Sequence, residues 1–179
     1  FKQKTAYEIM PSLVGSEMCI RDRQRPLYCG DEARKIIPFV RSKVEEFRKA
    51  GEPVYFICDS HDEDDKEFTR FPKHAVKGTE EARLIPELED LSEGGVFIYK
   101  RRYSAFYDTV LDDYLRVNRP DTVEVVGVCT NICVLYTVEE LCNRDIAVRV
   151  FREGVASFDK DAHEWALKQM EQVLGAEVV

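Results

Sequence analysis

No two of the six cysteines stand in a CxxC pair; they are scattered at Cys19, Cys29, Cys58, Cys129, Cys133 and Cys142. That spacing argues against a zinc ribbon and supplies no disulfide framework, so most are expected to be buried thiols. Long apolar runs are lacking too. VYFIC and VFIY are far too short to span a bilayer. The head has no signal-peptide core, because Glu8, Pro11 and Glu17 interrupt it. Positive charge is short: 26 Lys and Arg face 34 Asp and Glu, a formal net charge of −8. No basic stripe offsets this, so binding to nucleic acid or to an anionic membrane is not expected. Internal repeats and low-complexity linkers are absent, which leaves one domain with a sizeable core. A cytoplasmic protein is the expectation, and homo-oligomerisation is left open.

What is present alternates between two periods. Residues 31–50 carry Ile36, Ile37, Val40, Val44 and Phe47 at helical spacing, with Asp31 as a cap, Gly51 as a stop and Pro38 as a kink or a later true start. PVYFICD is a short apolar run and reads as a buried strand. A polar loop follows to about Thr79, then a short helix over 80–91 broken near Pro86. GGVFIYK, TVEVVGV and AVRVF read as further strands, with AEVV as an edge strand. Helices are expected over 108–117, over TNICVLYTVEELCNR and over DKDAHEWALKQMEQVLGA, the last ending at Gly175. Strands alternating with helices predict an α/β fold with a parallel sheet covered on both faces.

In such folds sites gather beyond the carboxyl ends of the strands. Three ends carry chemistry here. In CDSHDEDDKEFTRFPKH, Asp59 closes a strand, and His61, Glu67 and His74 follow in the loop. Carboxylates and imidazoles form a mixed N/O set that suits Zn, Fe or Mn. Two of the chain's three histidines fall in this loop; the third, His163, is expected to be an ordinary surface or core residue. In YKRRYSAF, Lys100 follows a strand and can hold a thiolate or carboxylate, although a solvated basic turn fits equally well. In GVCTNICV, Cys133 falls in the first turn of a helix, where the dipole and free N–H groups favour a thiolate and an oxyanion. Cys129, four residues earlier, is its rival.

CDSHD, FPKHAVKGTEEARLIPEL, KRRYSAF, GVCTNICVLYTVEEL and VASFDKDAHEWAL, in this order from about Pro26 to Val179, resemble the isochorismatase-like cysteine hydrolases and most closely the nicotinamidases. The resemblance implies a Rossmann-like three-layer sandwich with a mostly parallel sheet of about six strands. It implies an Asp–Lys–Cys triad in which Lys100 and Cys133 match the lysine and the nucleophile. It implies a divalent metal at Asp59, His61, Glu67 and His74, with Glu67 matching a glutamate version of the loop. Val128–Cys129 matches a cis peptide that would help aim N–H groups, that of Cys133 included, at the substrate oxygen. Phe71 and Tyr103 match aromatic pocket positions, though Phe71 fits a core equally well. The implied reaction is hydrolysis of nicotinamide or a related small amide to acid and ammonia through a cysteine acyl-enzyme.

The triad aspartate is the exception. The family's pattern places it near Gly15, where no carboxylate stands; Glu17 and Asp22 are poor substitutes, so turnover by this chain is expected to be impaired. The stretch AYEIMPSLVGSEMCIRDR resembles a translation of sequencing-adapter DNA, so residues 1–23 are expected not to be native and 24–179 to form the hydrolase domain. The alternatives are an isochorismatase-type hydrolase acting on a vinyl ether, against which Cys133 argues, a hydrolase of other carbamoyl or amide substrates, a metal-binding scaffold without turnover, and a redox switch of Cys129 with Cys133.

Overall fold

A computed structural model of the chain describes residues 29–179. Helix α1, Gly30–Ala50, buries Ile36, Ile37, Val40, Val44 and Phe47 along one stripe. Gly51 ends it at φ 71°, a left-handed conformation that costs glycine little. The start differs from expectation. Cys29 takes the cap position and makes no side-chain cap bond, while Asp31 and Glu32 lie in the first turn, where negative charge suits the helix dipole. Pro38 sits inside an unbroken helix.

Strand β1, Tyr55–Asp59, pairs in parallel with β2, Val96–Lys100, in a register that sets Asp59 beside Lys100. Between them lie a 3-10 turn at Glu80–Ala82 and a single helical turn, α2, Pro86–Glu89, with the break before Pro86 where the sequence expects it. Helix α3, Leu111–Asn118, starts later than the sequence suggests, because Asp108 holds φ at 55°, outside the helical region. Strand β3, Thr122–Val128, pairs in parallel with β4, Ala147–Ala156. Helix α4, Leu135–Cys142, connects them. Helix α5, Lys160–Gln172, is capped by Asp159, whose side chain accepts from the Ala162 N–H, and leads to β5, Glu177–Val178, parallel to β4.

Alternation along the strands builds two cores. Phe56, Cys58, Val126 and Val128 face α1 and α2 on one side. Tyr55, Ile57, Val123 and Val125 face α3, α4 and α5 on the other. The molecule is therefore the three-layer α/β sandwich that the sequence predicts. The strand count is lower: the described residues hold five strands, as a β1–β2 pair and a β3–β4–β5 sheet. The first strand that the resemblance places in the head lies outside the described residues.

Two features lock α1 to the second sheet. Glu124, a buried carboxylate on β3, lies 2.9 Å from Lys43 of α1 and 3.1 Å from Arg149 of β4. Further along β4 the register against β3 slips, and Gly154 comes so close that a Cβ there would sit 2.6 Å from Val126 and 3.0 Å from Phe39.

Candidate active site

Lys100 is the centre of the arrangement. It closes β2 and is only 2% exposed. Its ammonium donates to Asp59 Oδ1, to the Arg102 carbonyl at 3.0 Å and to Cys133 Sγ at 3.3 Å, so all three of its donors have partners. Burial alone would pull its pKa down, but the Asp59 carboxylate and Cys133 outweigh it, and the net shift is upward. Lys100 therefore stays a cation and acts on its neighbours by charge.

Cys133 does not lie in an ordinary first helical turn. Thr130–Val134 forms a π-helical turn ahead of α4, with the Val134 N–H donating to the Cys129 carbonyl at 3.2 Å. Such wide turns occur often at functional sites. The Cys133 thiol is half-buried. Burial pushes its pKa up, Lys100 pulls it down, and the Asp59 and Glu67 charges push it up again, for a net rise.

Cys129, the rival, points elsewhere. Its Sγ lies 3.1 Å from Cys29 Sγ in the core against α1. The Cys29 contact and burial hold its pKa well above that of an ordinary thiol. Its sulfur partner is thus Cys29, whereas Cys133 has Lys100. The Val128–Cys129 peptide is cis.

Asp59 is drawn to Lys100, because a buried ammonium needs a counter-charge. The groups that gather as candidate metal ligands are His61, Glu67 and His74, each offering one atom within 4.8 Å of the others and all buried. The loop fixes both rings. His61 is pinned through its backbone to Ala75 and Lys77. His74 Nδ1 donates to the Pro72 carbonyl at 2.8 Å, and His61 Nδ1 donates to Asp65 Oδ2 at 3.1 Å. Each bond leaves Nε2 with its lone pair free. His61 Nε2 and Glu67 Oε2 are buried and have no hydrogen-bond partner. Orphaned buried acceptors of this kind call for a cation, and a two-imidazole, one-carboxylate set fits Zn, Fe or Mn.

Phe71 and Tyr103 meet edge to face with ring centroids 6.5 Å apart, and Tyr103 stacks on Tyr136. His163 hydrogen-bonds Thr130 at 2.8 Å, and burial holds its pKa below the usual imidazole value. Gly15, Glu17, Cys19 and Asp22 lie outside the described residues. Sequence reasoning missed Asp65 and Arg102. Arg102 Nη1 lies 2.9 Å from Asp65 Oδ1 and 3.0 Å from Oδ2. Burial would raise the Asp65 pKa, but Arg102, the Glu67 N–H and His61 carry it well below the usual carboxylate range. The only signal in the sequence was the four-residue spacing from His61, in a loop crowded with other acids.

Comparison with known proteins gives the family and the fold. The model of the isochorismatase domain family matches residues 16–179, starting inside the head that the sequence sets apart. An uncharacterised isochorismatase family protein of Bacillus subtilis, PncA, is 36% identical over 85% of this chain and 88% of its own. The crystal structure of a pyrazinamidase/nicotinamidase from Streptococcus mutans superposes with a TM-score of 0.86 at 32% identity, covering 97% of this chain and 100% of that one. A pyrazinamidase of Pyrococcus horikoshii, crystallised in complex with zinc, superposes with a TM-score of 0.84 at 26% identity, covering 97% and 98%.

Proposed function

Because the chain belongs to the isochorismatase family, we propose that residues 24–179 form an amidohydrolase that converts nicotinamide or a related small aromatic amide to its acid and ammonia. The observation that carries the reading is the contact of the buried Lys100 ammonium with Cys133 Sγ at 3.3 Å, beside the His61–Glu67–His74 cluster. A cysteine held by a permanent cation is a nucleophile arrangement. It argues against a vinyl-ether hydrolase, whose reaction needs no thiol nucleophile.

The steps follow from these groups. Lys100 stabilises the Cys133 thiolate, and the aspartate that would take the thiol proton is the one expected from the first strand, outside the described residues. The sulfur attacks the amide carbonyl carbon, a C–S bond forms, and the developing oxyanion is met by N–H groups around Val128, Cys129 and Cys133. The C–N bond breaks and ammonia leaves with the proton. Water then cleaves the thioester, which releases the acid and restores the thiol. His61, Glu67 and His74 would hold a divalent Zn, Fe or Mn ion. When bound, it supplies a Lewis-acid contact that orients the ring nitrogen of the substrate. Phe71 and Tyr103, whose rings meet edge to face, would line the side of the pocket that takes that ring.

Ammonia release from nicotinamide, pyrazinamide and benzamide tests the reading. Turnover that depends on Cys133 and prefers the first two amides is expected, since benzamide lacks a ring nitrogen. A chain that binds metal yet releases no ammonia from any of them would be a scaffold and would refute it.

A further inference from the structure

Asp65 has no place in the reaction described above, yet its carboxylate is only 3% exposed and three groups converge on it. His61 Nδ1 lies 3.1 Å from Oδ2. Arg102 Nη1 contacts both oxygens at 2.9 and 3.0 Å. The backbone N–H of Glu67 donates to Oδ1 at 2.8 Å. On the far side of the imidazole, His61 Nε2 is buried and without a partner.

We infer that Asp65, held by Arg102, is a positioning residue that presents His61 and Glu67 to a divalent metal ion. The inference rests on the metal reading of the preceding section. A carboxylate can only accept a hydrogen bond, so its contact with Nδ1 fixes the proton there and leaves the Nε2 lone pair facing the cluster. The other oxygen of the same carboxylate holds the backbone of Glu67. One side chain therefore sets two of the three ligands. Arg102 offsets a negative charge that would otherwise sit unpaired near Glu67, whose Oε2 is 3.7 Å from the same guanidinium nitrogen. Arg102 also accepts from Lys100 Nζ through its carbonyl, so the pair links the metal loop to the cation beside the nucleophile.

The test is Zn²⁺ affinity of the full chain, measured by competition with a chromophoric chelator, in the wild type, Asp65→Asn, His61→Ala and the double variant. Asparagine keeps the shape of aspartate, but its amide can donate to Nδ1 and drive the proton to Nε2, where the metal needs a lone pair. Loss of a partner of this kind is expected to weaken binding about 10- to 100-fold. In the His61→Ala background the same change should add less than about twofold, because the ring it orients is gone. Asp65→Glu should recover part of the affinity, and far-UV circular dichroism should be the same for all variants. Wild-type affinity in Asp65→Asn, or losses that multiply in the double variant, would overturn the inference. A wild-type chain that binds no Zn²⁺, Fe²⁺ or Mn²⁺ would instead overturn the metal reading itself, and this inference with it.

Discussion

At Lys100 two physical effects oppose each other, and the winner decides the chemistry. Burial favours the neutral amine, while Asp59 and Cys133 favour the ammonium and prevail. The lysine is consequently a fixed charge rather than a base. Cys133 shows the converse balance, because burial outweighs the help from Lys100 and its pKa lies above the ordinary thiol value. Rising pH therefore favours the thiolate later than it does for an ordinary thiol. Alkylation of Cys133 by iodoacetamide should accelerate steadily from about pH 7 to beyond about pH 9. Lys100→Met removes the cation that, among the described residues, favours the thiolate, so its alkylation curve should shift to still higher pH. An unchanged curve in that variant would show that the 3.3 Å contact carries no charge stabilisation. Replacing the nucleophile has a simpler consequence. Cys133→Ala should lower ammonia release by about three orders of magnitude or more and leave metal content unchanged.

At the scale of elements, the periodic segments were legible and the irregular ones were not. The apolar stripe of α1 and the runs of β1, β2 and β3 announce themselves, because a helix face or a buried strand needs a regular set of side chains. The pattern predicts strand β4 only over AVRVF, whereas the strand continues to Ala156. Its continuation, REGVA, carries Arg152 and Glu153, and it slips register where Gly154 passes Val126. Charge at an irregular stretch of strand hides it from any periodicity. Likewise the π turn at Thr130–Val134 cannot be told from a helix start by composition. The pairing of Asp59 with Lys100 was not legible, because the parallel register of β1 and β2 is a long-range fact that spacing does not contain. The gathering of His61, Glu67 and His74 was legible, since histidine is rare in this chain and two of the three fall in one loop. The close passage at Gly154 makes a prediction at this scale. Gly154→Ala places a methyl group 2.6 Å from Val126 Cγ1, and overpacking of that kind costs about 1–3 kcal/mol. Thermal unfolding should move down by several degrees while the metal affinity holds, since the glycine lies between α1 and the second sheet, away from the loop.

Across the whole molecule, the sandwich provides a rigid frame and the loop from Ser60 to Thr79 a less regular addition. The frame is secured by two cores and by the Lys43–Glu124–Arg149 cluster. The loop has short turns, one backbone bridge between His61 and Val76, and buried polar atoms whose needs its own residues do not meet. A bound cation would therefore stabilise the native chain well beyond its local contacts, because an unfolded chain cannot assemble the three ligands. By mass action, free metal at about 100 times its dissociation constant adds about 2.7 kcal/mol to the stability of the folded state. Dialysis against EDTA should accordingly lower the unfolding temperature and abolish ammonia release together, and both should return on adding Zn²⁺ or Mn²⁺. In His74→Ala, which removes one ligand and keeps the frame, the unfolding temperature should no longer respond to either chelator or metal. A response that persists in His74→Ala would place the cation elsewhere. Stability that depends on metal in a variant lacking Cys133 would show that the loop was built around the ion whether or not the chain turns over.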